Sequence, residues 1–248
     1  MEADFEKMLD LMEFSFRYFE EAMPSKPKLV DMPFGEVYRF KEKDIYQVLI
    51  QKLARLQSTV RAAYVLLQNG YVQEQAMLHR VIDETNEDIV FLVFAETNDT
   101  IAPLHERYLS AFWEEEFDGS GDPIKSEQKR EMIPRKKIRA FIANVEGMAI
   151  DPSRGIELSR TISKVYSGFI HGASPHIMES YGGNPPHFHT QGMLGTPRIE
   201  QHRRDLWNYM YRSFVSHIFV AKALGEEKLV EILTKNKEQF ESNAGKQY

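Results

Sequence analysis

Apolar side chains recur every three or four residues through the first hundred positions, which is the spacing of one helix face. The pattern covers residues 2–23, 44–69 and 73–97. Asp44 is a suitable N-cap for the second segment, and Asn69-Gly70 is a suitable end. Because only a short turn separates the second segment from the third, we predict that these two helices pack antiparallel.

The second half of the chain carries the start signals of further helices. Asp151-Pro152 and Thr196-Pro197 each combine a capping side chain with a proline at the first helical position. The remaining predicted helices cover 99–116, a short stretch after Pro134, 151–172, 196–224 and 225–242. No segment has the strict two-residue alternation of a strand. The predicted fold class is therefore all-α, a bundle of about seven or eight helices.

Two segments rich in proline and glycine interrupt the helical pattern. The connection that ends near residue 43 holds three prolines, and residues 173–195 hold Pro175 and Pro185-Pro186 together with four glycines. A regular helix does not tolerate that composition, so 173–195 is predicted to be a long irregular loop. No low-complexity linker divides the chain, and we predict a single domain over 1–248. The N-terminal helix and its connection cover 1–43, and the helical hairpin covers 44–97. A helix–loop–helix unit covers 151–224, and the C-terminal helix with its tail covers 225–248.

The composition indicates a globular protein of a reducing compartment. Of its 248 residues, 42% are hydrophobic and 12% are aromatic, which is enough for a sizeable buried core. The chain has no cysteine, which excludes disulfides, thiolate ligands of zinc and a cysteine nucleophile. Its start is acidic and its apolar runs are far shorter than a membrane span, so we expect a cytoplasmic protein with no membrane partner.

The net charge of −6 disfavours a surface broadly adapted to nucleic-acid phosphates but permits a local basic patch. The densest group of cations is Lys129-Arg130, Arg135-Lys136-Lys137 and Arg139. A solvated face of a short helix is the favoured interpretation of this group.

A polar stripe on the helix predicted at 151–172 supplies the first candidates for chemistry. Its members are Arg160, Lys164, Ser167 and His171. Steps of four, three and four residues place them within about 60° of one another on the helix. The 173–195 loop begins beside His171, and loops at helix ends commonly build sites. The alternative is a histidine that only caps the last carbonyls beside ordinary surface cations.

The helix predicted at 73–97 supplies a second group. Arg80 and Glu84 are one turn apart, and the default interpretation is a salt bridge within the helix. Alternatively, Arg80 meets a phosphate or a carboxylate while Glu84 holds the arginine in place. Close packing of this helix against the one that ends at His171 would bring their polar stripes together. We therefore predict that His171 lies within side-chain reach of Arg80 and Glu84 in one cleft.

Histidines in the 173–195 loop raise the question of a metal. His176, His187 and His189 follow His171, but no motif with the spacing of a helical zinc site supplies further ligands. No phosphate loop or dinucleotide fingerprint is present either. We expect no cofactor and no metal that folding requires, and whether the loop histidines converge stays open.

Two stretches resemble a known family. They are Leu66-Leu67-Gln68-Asn69-Gly70 running into Leu78-His79-Arg80-Val81-Ile82-Asp83-Glu84, and Tyr166-Ser167-Gly168-Phe169-Ile170-His171-Gly172. Over about half of the chain, roughly 45–97 and 155–220, the sequence resembles uncharacterised prokaryotic helical proteins allied to HEPN (higher eukaryotes and prokaryotes nucleotide-binding) domains. The resemblance implies a HEPN-like bundle, RNA or a nucleotide as partner, and a homodimer.

Active HEPN proteins are metal-independent ribonucleases of toxin and phage-defence systems. The resemblance implies that His171 is a general acid or base at the ribose 2′-hydroxyl or the leaving oxygen, with Lys164 or Arg80 stabilising phosphate charge. Those enzymes carry an arginine separated from the histidine by four to six residues. In this chain the corresponding positions before His171 hold Tyr166, Val165 and Lys164. Only Lys164 could replace the arginine, and it would do so as a point charge. The resemblance therefore implies weak or absent cleavage.

Three function classes stay open at this stage. The first is a HEPN-like RNA- or nucleotide-directed protein, either a ribonuclease or its inactive relative. The second is a non-enzymatic helical module for self-association or protein interaction. The third is a metallohydrolase that uses histidines and carboxylates, which requires the loop histidines to converge with Glu84 or Glu87.

Overall fold

The computed structural model describes residues 2–33, 35–117, 123–145 and 152–245, apart from the side chains of residues 123, 152, 155, 156, 158 and 159. These residues are mostly helical, which confirms the all-α prediction. The helices are α1 (Glu2–Ala22), α2 (Ile45–Gln68), α3 (Val72–Thr97), α4 (Pro103–Trp113), α5 (Arg135–Ala143), α6 (Pro152–Ile170), α7 (Ser174–Met178), α8 (Arg198–Ala223) and α9 (Glu227–Asn243). The strands are β1 (Lys28–Met32), β2 (Gly35–Arg39), β3 (Tyr181–Gly182) and β4 (His187–Phe188). Within the described part of the chain, no helix is long and apolar enough to cross a bilayer.

The predicted hairpin of α2 and α3 lies at the centre of the fold. The Asp44 carboxylate accepts hydrogen bonds from the backbone of Tyr46 and Gln47, and the Gln47 side chain accepts one from the backbone of Asp44. This capping box begins α2 as the sequence predicts. The inner faces of the hairpin join one hydrophobic cluster that extends from Phe5 of α1 to Phe240 of α9. The core therefore draws on both ends of the chain.

The turn between α2 and α3 holds the end of the 173–195 segment in place. Gly70 has a φ of +80°, and its carbonyl oxygen accepts a hydrogen bond from the Met193 amide at 2.7 Å. Gly192, with a φ of +97°, approaches the carbonyl oxygen of Asn69 so closely that a Cβ would lie 2.6 Å from that atom. Both positions need glycine, because an L side chain would be strained and would also clash.

We expect Gly70→Ala to lower the free energy of unfolding by about 2 kcal/mol or more, because left-handed backbone strains a non-glycine residue. The added Cβ would also lie 2.7 Å from the Met193 amide nitrogen. Gly182→Ala is the matched control, since nothing lies within 4 Å of its Cβ position. Urea denaturation of both variants tests the contact, and equal stabilities would contradict it.

The segments predicted to be irregular contain more structure than their composition indicates. β1 and β2 form an antiparallel hairpin in the proline-bearing connection, with Lys28 opposite Arg39. Both strands are largely exposed, so they lack the apolar alternation that identifies a strand in a sequence. In 173–195, α7 and the short β3–β4 pair make the predicted irregular loop partly regular. Pro175 lies in the first turn of α7, where its missing N–H breaks no helical hydrogen bond.

Two helix starts lie later than the sequence signals. α4 begins at Pro103, and Asp99 instead lies in the turn after α3 with a φ of 50°. α8 begins after Pro197, while the Thr196 hydroxyl donates to the Met193 carbonyl instead of capping the helix. The start signal at Asp151 lies outside the described residues.

Candidate functional site

Aromatic side chains on the inner side of α6 anchor this helix to α3 and α8. The Tyr166 ring meets the His79 ring of α3 edge-on, with 5.3 Å between centroids, and lies 5.6 Å from the Tyr209 ring of α8. One turn later, the Phe169 ring contacts His176 of α7 at 4.6 Å. These contacts fix the side of α6 that faces the core.

The predicted polar stripe lies on the outer side of α6. Lys164 and His171 are exposed, Ser167 is half-buried, and Arg160 is exposed with its guanidinium 3.8 Å from Glu157. Among the described residues, neither Lys164 nor His171 has an ion pair or a side-chain hydrogen bond. The end of α6 thus presents an accessible ammonium group and an accessible imidazole.

The Arg80–Glu84 pair of α3 has the geometry of an ordinary intrahelical salt bridge. Arg80 Nε donates to Glu84 Oε1 at 3.0 Å, and the two side chains are 29% and 33% exposed. Although α3 and α6 pack together, no hydrogen bond or ion pair within the described residues joins His171 to Arg80 or Glu84. The shared cleft stays a prediction.

Two cations that the sequence places on a solvated face are instead held in ion pairs, with Arg139 buried and Arg135 half-buried. Arg139 Nε binds Glu87 Oε1 at 2.8 Å, and these side chains are 9% and 7% exposed. Arg135 bridges Glu87 and Asp88, and Lys52 of α2 binds Asp88 at 2.7 Å. Ion pairs therefore hold α5 on α3. The signal available in the sequence was the pair of neighbouring carboxylates in a helix otherwise rich in apolar residues.

Three buried histidines are neutral packing groups. His79 lies flat on the Tyr209 ring at 4.1 Å, and both of its ring nitrogens lack a partner among the described residues. Burial, reinforced by nearby His202, lowers the pKa of His79 to about 3. Burial also lowers the pKa of His202 to about 4 and that of His217 to about 3. None of the three is an acid–base group at neutral pH.

Two of the loop histidines, His187 and His189, are neighbours, and His176 has different contacts. His176 packs over Gly168, where a Cβ would lie 2.1 Å from the imidazole ring. His187 Nδ1 donates to the Pro185 carbonyl at 3.0 Å, and its ring centroid is 4.5 Å from that of His189. In the described ranges, no three or more His, Asp or Glu side chains are grouped so that they could hold a metal ion.

The end of α6 and the segment after it expose several large apolar side chains. They are Val165, Ile170, Ile177, Met178, Tyr181, Phe188 and Leu194. The rings of Tyr181 and Phe188 contact each other at 4.8 Å across the β3–β4 pair. Where such side chains form one contiguous patch, the patch is typical of a surface that meets a partner.

Comparison with known proteins adds no assignment to this geometry. No protein-family model, no curated protein and no solved structure matches the chain. The likeness to HEPN-allied proteins therefore stays an expectation from short motifs, and the candidate site consists of the outer side of α6 and the Arg80–Glu84 pair.

Proposed function

We propose that this chain is a HEPN-like, RNA- or nucleotide-directed protein of the cytoplasm, and that the outer side of α6 is its contact surface. The observation that carries the proposal is that Lys164 and His171 are exposed on the same helix stripe and have no partner among the residues that the structure describes. Residues 135–171 also contain seven Lys or Arg against three Asp or Glu, in a chain whose net charge is −6. Such a local excess of positive charge favours a phosphate-bearing partner.

The same groups define the chemistry that RNA would meet. His171 can give or accept a proton at a ribose hydroxyl, and Ser167 can hydrogen-bond a phosphate oxygen. Lys164 offers a point charge where an active enzyme of this kind has an arginine fork. Arg80 is engaged by Glu84. We therefore propose binding with weak or absent metal-independent cleavage.

Binding of a fluorescent single-stranded RNA, measured by anisotropy, tests this proposal. Lys164→Gln, His171→Ala and Arg80→Ala are each expected to weaken binding about fivefold, the effect of losing roughly 1 kcal/mol of phosphate contact. Lys228→Gln on α9, another exposed lysine, is the matched control and should bind normally. All four variants should keep the thermal stability of the parent protein. Parallel incubations with and without chelator report cleavage.

Unchanged RNA affinity in both Lys164→Gln and His171→Ala would remove the proposal. It would favour the second candidate, a self-association module, which the exposed apolar side chains after α6 support. Sedimentation equilibrium would then give a homodimer that Phe188→Glu separates. The metallohydrolase alternative has no supporting group of ligands among the described residues.

A further inference from the structure

An open cleft of about 1000 Å³ lies between the start of α4 and α5. Leu104 and Phe141 supply apolar wall, while Asn98 and Asn144 supply amides at its edge. Its lining contains none of the stripe residues of α6. A cavity of this size, mainly apolar with a few polar groups, is typical of small-molecule sites.

The aromatic wall of this cleft is fixed in orientation. The Phe141 ring meets the Phe91 ring at 5.1 Å and the His105 ring at 4.5 Å, both edge to face. Phe91 and His105 are fully buried and pack against the Phe141 ring. The rest of the Phe141 surface lines the cleft. A planar ring could stack there with little loss of side-chain freedom.

The charged residues that line the cleft are Lys137 and Arg107. Arg107 is engaged by Glu131 through its guanidinium. Lys137 is exposed and has no ion pair with a described residue, although Glu131 is close enough to feel its charge. Because the Arg107 guanidinium is paired with Glu131, Lys137 is the lining cation available to a ligand.

We infer that this cleft binds a small organic anion built on a planar ring, with the ring on Phe141 and the anionic group on Lys137. If the ring carries hydrogen-bonding groups at its edge, these also bind the side-chain amides of Asn98 and Asn144. A ligand with an alkyl chain in place of the ring could not form those hydrogen bonds. The inference goes beyond the proposed function and does not rest on it, because the outer side of α6 contributes nothing to the cleft.

Titration calorimetry with four probes tests the ligand chemistry. Adenosine monophosphate carries a ring and a phosphate, and indole-3-acetate carries a ring and a carboxylate. Adenosine lacks the anion and orthophosphate lacks the ring. At least one ring-bearing anion is expected to bind at least tenfold more tightly than both partial probes, and the preferred one identifies phosphate or carboxylate as the anionic group. Failure of both ring-bearing anions to bind overturns the inference.

Variants assign the binding to the cleft. Lys137→Glu is expected to weaken the preferred probe at least tenfold, whereas Lys136→Glu, the same charge change on the neighbouring exposed lysine, should leave the affinity unchanged. Ala140→Trp, which fills the cleft from α5, should abolish binding while the protein stays folded by circular dichroism. Equal losses in Lys136→Glu and Lys137→Glu, or a loss in Lys164→Gln, would overturn the assignment. If the protein binds the ring-bearing anion but does not bind RNA, only the proposed function is rejected.

Discussion

Replacing Glu87 by glutamine is expected to lower the free energy of unfolding by about 3 kcal/mol, because removing one partner of a buried ion pair leaves an uncompensated charge in the interior. The Glu87 carboxylate is 7% exposed and meets both Arg139 and Arg135. Arg139 is itself buried, so its guanidinium cannot turn to water without undocking α5. The matched control is Glu84→Gln, one turn earlier on α3. Its partly exposed pair with Arg80 should contribute only about 0.3 to 0.5 kcal/mol to the free energy of unfolding.

Urea denaturation of the two variants at neutral pH measures this difference. A double variant in which both Glu87 and Arg139 become leucine should be more stable than Glu87→Gln, because it removes the charge and its partner together. Similar stabilities for Glu87→Gln and Glu84→Gln would show that ion pairs do not hold α5 on α3.

The helices could be predicted from the sequence because their signals are local. The apolar spacing of α2 and the capping box at Asp44 each lie within a few residues of what they determine. The β1–β2 hairpin could not be predicted from the sequence, because neither strand has a buried face that would require apolar and polar residues to alternate. Helix periodicity also placed Lys164 and His171 on one side of α6, and the structure exposes both.

The partners of charged residues were beyond the reach of the sequence. Arg139 and Glu87 are 52 positions apart, and nothing in the spacing of either segment says that α5 packs on that side of α3. The burial of His79 depends likewise on Tyr166 and Tyr209 arriving from two other helices. The spacing within one helix predicts which side chains share a face. Whether that face is exposed to solvent depends on how the helices pack against one another.

Mild acid is expected to destabilise the protein by about 6 kcal/mol between pH 7 and pH 5 through His79, His202 and His217. In the folded protein, the pKa values of His79, His202 and His217 are about 3, 4 and 3, below the 6.5 of an unperturbed imidazole. Below pH 6.5 the unfolded chain therefore takes up protons that the folded protein does not. The stability present above pH 6.5 is lost as the pH falls, by about 2 kcal/mol for each histidine at pH 5. Burial also lowers the pKa of His105, which adds to this loss, and it raises the pKa of Asp205, which acts in the opposite direction.

His79→Phe should remove about 2 kcal/mol of this pH dependence between pH 7 and pH 5, because one of the buried titrating groups disappears. Neither ring nitrogen of His79 has a hydrogen-bond partner among the described residues, and the ring stacks flat on Tyr209. A phenyl ring can keep that stacking without losing a hydrogen bond, so stability at pH 7 should be equal or higher. His187→Phe is the control, since His187 is exposed and should leave the pH dependence unchanged. Urea denaturation at pH 5, 6 and 7 measures all three proteins, and a pH dependence that survives intact in His79→Phe would show that His79 is not held neutral by burial.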